Sequence, residues 1–367
     1  MQNKLRIALL IHSLDGGGAE RVMSQLANRW TQQHQVDLIT WSLPESDRYA
    51  VEPSVQRHSL GLQKPSSNLV SGILANYRRV QAVRKKLIEL SPDFVLSFCD
   101  QMNIVTLQAA RRLKKTCRVW IAEHSDPQQQ QLSRFWEAWR RRTYPRCTGC
   151  VALTDSIADY MTRWIPRDNL KVIPSALHDC PENVDYQAES GTTNTILYVG
   201  RLSPEKRIEL LLESWRIAAP ELPDWQLRIV GDGVARADLE QQAKGLPRVT
   251  FVGWKGNPQE EFVSSQMFVL CSRYEGFPVA LLEALSFGLP VVTTACSSAI
   301  GELQATNYNE FIKVAVPDTP ESIAEAIIEL ANDPARRINL SHQAHQVARL
   351  YTWATIGPKW DELLDTE

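Results

Sequence analysis

The sequence predicts an α/β protein built from two doubly wound parallel-sheet domains. Three observations predict it. Short apolar runs alternate with longer amphipathic ones along nearly the whole chain, the pattern of βαβ units. The alternation lapses once, between about Pro174 and Thr193, and then restarts. Each half also opens with a strand-like run that leads directly into a loop suited to a ligand, HSLDGGGAER (His12 to Arg21) in the first and VGRLSPEKR (Val199 to Arg207) in the second.

In the first half the strand candidates are Arg6 to Ile11, Val36 to Thr40, Phe94 to Phe98, Val119 to Ala122, Cys150 to Leu153 and Val172 to Ile173. Most are short, continuous and apolar, as strands buried on both faces must be, and helical candidates fill most of the gaps. The Pro-, Gly-, Asn- and Ser-containing lapse that follows is read as the interdomain linker. The second half continues with Thr195 to Val199, Trp225 to Val230, Val249 to Val252, Met267 to Leu270, Val291 to Thr293 and Phe311 to Val314. Ligands in such sheets bind beyond the C-terminal ends of the strands, so the space between the two domains is the expected active site.

Size and composition agree with this division. A chain of 367 residues is too long for one typical core, and 44% hydrophobic residues suffice for two. No segment approaches the ~20 apolar residues of a membrane span. The apolar start Leu5 to Ile11 runs straight into a glycine turn and reads as a buried strand, so a cytoplasmic protein is expected. Of seven cysteines only Cys147 and Cys150 are spaced as a pair, which suggests reduced structural thiols and not a zinc site.

Charge is divided unevenly. Residues 1 to 180 carry 25 Lys+Arg against 16 Asp+Glu, and the remainder 15 against 26, so net charges of +9 and −11 lie behind an overall −2. The basic runs Arg78 to Lys86 and Arg111 to Arg118 are expected to be solvated helix faces. The third, RFWEAWRRRTYPR (Arg134 to Arg146), interleaves Phe135, Trp136, Trp139 and Tyr144 with five arginines. That mixture suits contact with an anionic membrane surface, although aromatic residues at helical spacing also simply pack. Nucleic acid fits poorly, since the second half is acidic and no binding signature is present.

Three segments carry chemistry. In EGFPVALLE (Glu275 to Glu283) an apolar run leads to Gly276, which allows close backbone approach, and to Pro278, which suits a first helical position. Free N–H groups at a helix start attract phosphate, while carboxylates accept hydrogen bonds from paired hydroxyls. A ligand with both phosphate and sugar meets both demands; an exposed N-terminal acid on an ordinary helix is the plainer alternative. Gly16, Gly17 and Gly18 place glycines between the first strand and helix, where amides can face a phosphate or its sugar, or where the chain merely turns tightly. Arg201 and Lys206 flank a turn containing Ser203 and Pro204, able to reach one diphosphate from two sides and to stabilise charge on a departing phosphate.

The ordered series GGGAERV, VGRLSPEK, VGDG (Val230 to Gly233), VGW (Val252 to Trp254), EGFPVALLEAL and FGLPVV (Phe287 to Val292) resembles the retaining glycosyltransferases of family 4 over nearly the whole chain. The resemblance implies the GT-B architecture of two facing Rossmann-like domains with a C-terminal crossover helix: 1–178 on the acceptor side, 179–350 binding the donor, and 351–367 returning to the first domain. It further implies that Glu283 holds the ribose of a sugar nucleotide, that Glu275 lies beside the donor sugar, and that Arg201 and Lys206 bind the diphosphate. The backbone at Gly276 and Phe277 would help to hold the sugar, and the loop at Gly17 and Gly18 would close over the donor. His124, in IAEHSDP, resembles the family's first-domain histidine near the transferred sugar, and Glu123 and His124 become acceptor-side candidates. On this reading Arg201, Lys206, Glu275 and His124 are the catalytic candidates, and no metal and no cofactor are required, because side chains neutralise the leaving group. Two departures from the family pattern stand out: VIPSA (Val172 to Ala176) carries Ser175 and Ala176 in place of Asn and Gly, and ACSSAIGEL carries Ser297, Ser298 and Ala299 where a Gly-rich loop is usual. Trp353 and Trp360 of the terminal segment read as packing anchors.

The expected activity is transfer of a hexose or N-acetylhexosamine from a nucleotide sugar, by family habit a UDP-sugar, to a glycan or polyprenyl-diphosphate-linked glycan, as in bacterial surface polysaccharide assembly. The expected location is the cytoplasm, peripheral on the inner face of the membrane. Two rivals are a GT-B-like sugar-nucleotide epimerase, which needs no acceptor, and a non-catalytic sugar-nucleotide-binding module, which binds without turnover.

Overall fold

A computed structural model describes residues 4–63, 69–187, 194–305 and 312–365. It divides into two compact units, Met1–Ser175 with Gly357–Glu367, and Ala176–Ile356.

The first unit runs β1 (Arg6–Ile11), α1 (Gly18–Trp30), β2 (Gln35–Thr40), β3 (Gln56–Ser59), α2 (Leu69–Leu90), β4 (Phe94–Phe98), α3 (Asp100–Ala110), β5 (Arg118–Ala122), α4 (Arg134–Thr143), β6 (Gly149–Ala152), α5 (Asp155–Met161) and β7 (Leu170–Val172). The strands form one sheet in the order β3-β2-β1-β4-β5-β6-β7, and every pair is parallel. β4 and β6 are buried along their whole length, which is why their sequences are almost wholly apolar, with Ser97 of β4 bonded to Asn103. The edge strands β3 and β7 differ, β7 carrying an exposed Lys171 and β3 no apolar residue at all. The β3 sequence, QRHS, is polar and only half-buried, because an edge strand is covered on one side alone.

The second unit runs β8 (Asn194–Val199), α6 (Ile208–Ala218), β9 (Trp225–Val230), α7 (Arg236–Gln242), β10 (Val249–Gly253), α8 (Gln259–Val263), β11 (Met267–Leu270), α9 (Val279–Ser286), β12 (Val291–Thr294), α10 (Ser298–Gln304), β13 (Ile312–Ala315), α11 (Pro320–Ala331) and α12 (Pro334–Arg349). Its sheet, also parallel throughout, has the order β10-β9-β8-β11-β12-β13. The last helix, α13 (Trp353–Asp365), belongs to the first unit from Gly357 onward. There Trp360 is buried 5.6 Å from the Phe98 ring, Asp361 accepts from Arg29 and from the Trp30 indole, and Arg118 donates to the carbonyls of Leu363 and Leu364.

Three details differ from the sequence reading. The stretch expected as a linker is part of the second unit from Ala176 to Gln187, and 188–193 lie outside the described residues. Pro278 stands one residue before the helix, at φ −76°, and opens it through its carbonyl, which accepts from Leu281 and Leu282. The strand expected from Phe311 begins at Ile312 among the described residues, and Phe311 itself lies outside them.

Candidate active site

In each sheet the strand order reverses direction between the first strand and the strand three connections later: between β1 and β4 in the first unit, and between β8 and β11 in the second. Adjacent strands whose connections leave in opposite directions open a crevice at their C-terminal ends. The loops that the sequence singled out lie at these ends.

In the second unit, β8 leads into Gly200 to Arg207 and β11 into Cys271 to Pro278. The two loops are tied through their backbones, the Arg273 amide donating to the Glu205 carbonyl at 2.8 Å. Lys206 closes a 3-10 turn that starts at Pro204, and Arg207, in the left-handed region at φ +52°, redirects the chain into α6. From this turn the Lys206 Nζ reaches Glu275 Oε1 at 2.6 Å, and both side chains are mostly buried. The Ser272 hydroxyl donates to the same oxygen at 2.7 Å, and the Glu275 amide is held by the Cys296 carbonyl at 2.8 Å. Arg201 is exposed in the same turn, whose shape is fixed by the Tyr198 hydroxyl donating to the Arg201 carbonyl at 3.2 Å. Glu283 sits half-buried in the second turn of α9, and Gly276 and Phe277 are buried before that helix. The structure thus joins Lys206 directly to Glu275, places Arg201 on the Lys206 loop and puts Glu283 on the helix that follows Glu275.

The glycines of VGDG shape this cradle. Gly231, at φ +142°, lies so close to the first loop that a Cβ there would stand 1.8 Å from the Gly200 carbonyl oxygen. A Cβ on Gly233 would stand 2.3 Å from the Leu202 carbonyl oxygen. Backbone bonds from Gly200 to Val230 and from Leu202 to Asp232 hold the two loops together.

Sequence reasoning missed Ser272, and it noted Ser297 only as a departure from the family pattern, without its partner. Ser297 caps α10 by accepting from Ala299 and donates to the Gly276 carbonyl at 3.0 Å, so the departure at ACSS supplies a side-chain bond to the backbone beside Glu275. The signal was a Ser at a helix N-cap, which gives the cap but not its second partner.

In the first unit Gly16 is at φ +112°, Gly17 is the N-cap of α1 and Gly18 its first residue. A Cβ on Gly17 would meet only the flexible carboxylate of Glu20. At the end of β5, Glu123 and His124 differ in position. Glu123 has no exposed surface and accepts the Tyr144 hydroxyl on Oε1; burial, helped by repulsion from Asp100, pushes its carboxyl up to about 7. A side chain so enclosed does not present itself to an acceptor. The His124 residue reaches the surface in part, but its ring is enclosed 4.2 Å from that of Phe98, and burial lowers its pKa to about 3, so it is the neutral imidazole.

The arginine-rich segment forms α4, where Trp136 and Trp139 stack at 5.3 Å and Phe135 is 48% exposed. A cavity of about 530 Å³ beside it is walled by Val80, Phe135, Trp139, Arg84 and Arg142. Arg134, Arg141, Arg142 and Arg146 are exposed. Arg140 is not: it is buried, paired with Glu137, 4.6 Å over the Trp164 ring, and Tyr144 is buried too. Those two side chains of the run serve the core because α4 packs one face inward. No helix among the described residues is long and apolar enough to cross a membrane.

Two Rossmann-like parallel-sheet units in one chain, with a basic loop and an acidic loop joined at the second unit's reversal point, define a protein of the GT-B class. Residues 16–178 match the family described as Glycosyltransferase Family 4, and residues 193–333 match Glycosyl transferases group 1. The chain belongs to glycosyltransferase family 4 and is a glycosyltransferase. It is 28% identical, over 98% of both chains, to a Campylobacter jejuni GalNAc-alpha-(1->4)-GalNAc-alpha-(1->3)-diNAcBac-PP-undecaprenol alpha-1,4-N-acetyl-D-galactosaminyltransferase. It is 26% identical, over 92% of both, to the lipopolysaccharide 1,6-galactosyltransferase of Escherichia coli K12. Among solved structures, Anabaena HepE in complex with UDP and glucose superposes with a TM-score of 0.75 at 18% identity, covering 99% of this chain and 100% of that one.

Proposed function

We propose that this glycosyltransferase takes a hexose or N-acetylhexosamine from a UDP-sugar, with retention at the anomeric carbon and without a metal ion, and delivers it to a lipid-diphosphate-linked glycan. The observation that carries the reading is the Lys206–Glu275 pair at the second unit's reversal point, with Arg201 on the same loop and Glu283 on α9. A diphosphate requires cations that can approach it, and a sugar requires carboxylates that accept from hydroxyls; this cradle supplies both on rigid strand ends.

In this reading Arg201 and Lys206 bear on the diphosphate, Glu275 on the donor sugar and Glu283 on the ribose. The bond from the anomeric carbon to the phosphate oxygen breaks as the bond to the acceptor oxygen forms. The acceptor's proton passes to the departing phosphate, whose growing charge Arg201 and Lys206 offset. The UDP assignment is supported by the UDP bound in the HepE structure, and the acceptor class by the undecaprenol-linked substrate in the Campylobacter relative's name. We assign the exposed arginines and aromatic face of α4 to an anionic membrane surface where such an acceptor resides, which makes the enzyme peripheral on the cytoplasmic side.

Incubation of the enzyme with UDP-hexoses and UDP-N-acetylhexosamines, with and without a polyprenyl-diphosphate glycan, tests the reading. Acceptor-dependent UDP release with an α-linked product supports it. Interconversion of the donor in the absence of acceptor would sink it in favour of an epimerase.

A further inference from the structure

α2 and α4 flank the cavity of about 530 Å³, whose floor is the last turn of α3 at Gln108. Its apolar walls are Tyr77 and Val80 of α2 and Phe135, Ala138 and Trp139 of α4, residues that recur at helical spacing. Arg84 closes the floor by donating to the carbonyls of Gln108 and Ala109 at the end of α3. The volume falls within the roughly 300–1,000 Å³ of pockets that take small ligands. Apolar surface is left at the rim: Tyr77 is 62% exposed, Leu74, one turn before it, 53%, and Phe135 48%.

The charged residues that line this cavity, Arg84 and Arg142, are both basic. Arg142 is exposed and pairs with no carboxylate among the described residues. Arg111 reaches the Gln108 side chain at 3.5 Å, and Arg78 is exposed beside Tyr77. α2, α3 and α4 carry one acid each, and each is engaged elsewhere: Glu89 with Lys86, Asp100 with Gln130, and Glu137 with Arg140 and Arg141. An apolar hollow with an unpaired cation at its mouth and aromatic rings at its rim matches an anionic amphiphile, whose chain leaves water while its phosphate stays at the surface.

We propose that this cavity is a lipid site, taking one hydrocarbon chain of an anionic phospholipid whose phosphate Arg142 meets at the rim. The position of the floor favours a bilayer phospholipid over the lipid of the acceptor. α3 runs from the C-terminal end of β4 back toward the start of β5, so Gln108, in its last turn, lies at the sheet edge opposite the loops that carry Gly17 and His124. A lipid held there anchors the enzyme without presenting a reacting end. The inference rests on the assignment of α4 to an anionic membrane surface and adds one enclosed lipid to it: charge alone satisfies a surface, whereas this site needs a chain.

The test is calorimetric titration with phosphatidylglycerols short enough to stay monomeric in water. Dioctanoyl phosphatidylglycerol should bind once per protein chain, and glycerol phosphate, which has the headgroup charge and no hydrocarbon, should not bind measurably. Each buried methylene raises affinity about fourfold, so with one chain enclosed the dioctanoyl lipid should bind roughly 15-fold more tightly than the dihexanoyl one. Ala138→Trp, at an exposed position on the cavity wall, fills the hollow without touching a charge; it should weaken binding by about tenfold or more with Tm within about 2–3 °C of wild type. Arg142→Gln should weaken binding severalfold, and Arg146→Gln, exposed but outside the cavity, should leave it unchanged. Equal binding by Ala138→Trp and wild type would overturn the site. Tighter binding of farnesyl phosphate than of the phospholipid would overturn its occupant, as would a dimer through this groove that lipid cannot dissociate. Co-sedimentation with anionic vesicles separates the two claims. Vesicle binding without single-lipid binding refutes the site and leaves the surface assignment standing, and single-lipid binding without vesicle binding does the reverse.

Discussion

Gly231 offers the sharpest structural perturbation of the cradle proposed to hold the donor. An alanine Cβ at this position would stand 1.8 Å from the Gly200 carbonyl oxygen and 2.9 Å from its carbon, both backbone atoms of the loop that carries Arg201 and Lys206. Ordinary contact begins near 3.4 Å, so the two loops must part by roughly 1.5 Å. The φ of +142° adds backbone strain of about 1–3 kcal/mol, and overpacking against a fixed carbonyl about 1–3 more. The sum, roughly 2–6 kcal/mol, corresponds to a fall in Tm of about 5–20 °C for a unit of this size. Gly245→Ala is the matched control, since Gly245 is also at positive φ, +83°, but a Cβ there meets nothing within 4 Å. It should cost only about 1–2 kcal/mol. Thermal unfolding gives the stability difference, and calorimetric titration with UDP-sugar gives the functional one. Gly231→Ala should weaken donor binding at least tenfold, whereas Gly245→Ala should leave it within twofold. Equal losses of Tm and equal donor affinities in the two variants would refute the close loop approach as the basis of the cradle.

Other predictions are independent of that one. Glu283→Ala should weaken donor binding with kcat less affected, whereas Arg201→Ala and Lys206→Ala should lower kcat by 10²-fold or more; steady-state kinetics with varied donor separates the two, and unchanged kcat in both basic variants would remove their leaving-group role. Trp360→Ala should destabilise the first unit by about 3–5 kcal/mol, seen in denaturant unfolding, because a buried indole leaves a cavity beside Phe98. The Glu123 carboxyl, raised from 4.5 to about 7, binds more protons in the folded than in the unfolded state across that window. Stability should therefore fall as pH rises from about 4.5 to 7, by up to roughly 3 kcal/mol, and level off above; Glu123→Gln should flatten that slope in a series of urea melts, leaving the part due to Asp100, which shifts the same way. Replacing Arg134 and Arg142 by glutamate should abolish co-sedimentation with vesicles containing anionic phospholipid while leaving the Tm within 2–3 °C, since both are exposed; retained binding would dissociate α4 from the membrane.

Much of the fold was legible because its signal is local. A strand buried on both faces must be a short apolar run, and β1, β4 and β11 announce themselves in that way. β3 was invisible for the same reason, since QRHS at a sheet edge needs no apolar residue. The basic loop and the acidic loop could each be read, but their meeting at 2.6 Å depends on β8 and β11 being neighbours, which no spacing of 69 residues reveals. Ser297 reaching the Gly276 carbonyl and Tyr144 reaching Glu123 are likewise contacts across 21 residues, set by tertiary packing. Arg140 shows the converse. One residue in a run of three arginines turns inward, and only the face on which α4 packs decides which one.

The central claim is that the second unit's cradle binds a sugar nucleotide and that the enzyme moves its sugar to a separate acceptor. Release of UDP, followed with and without a polyprenyl-diphosphate glycan in wild type and Lys206→Ala, tests it most directly. The account predicts release that depends on the acceptor and falls at least a hundredfold in the variant. Release that ignores the acceptor, or that survives loss of Lys206, would contradict it.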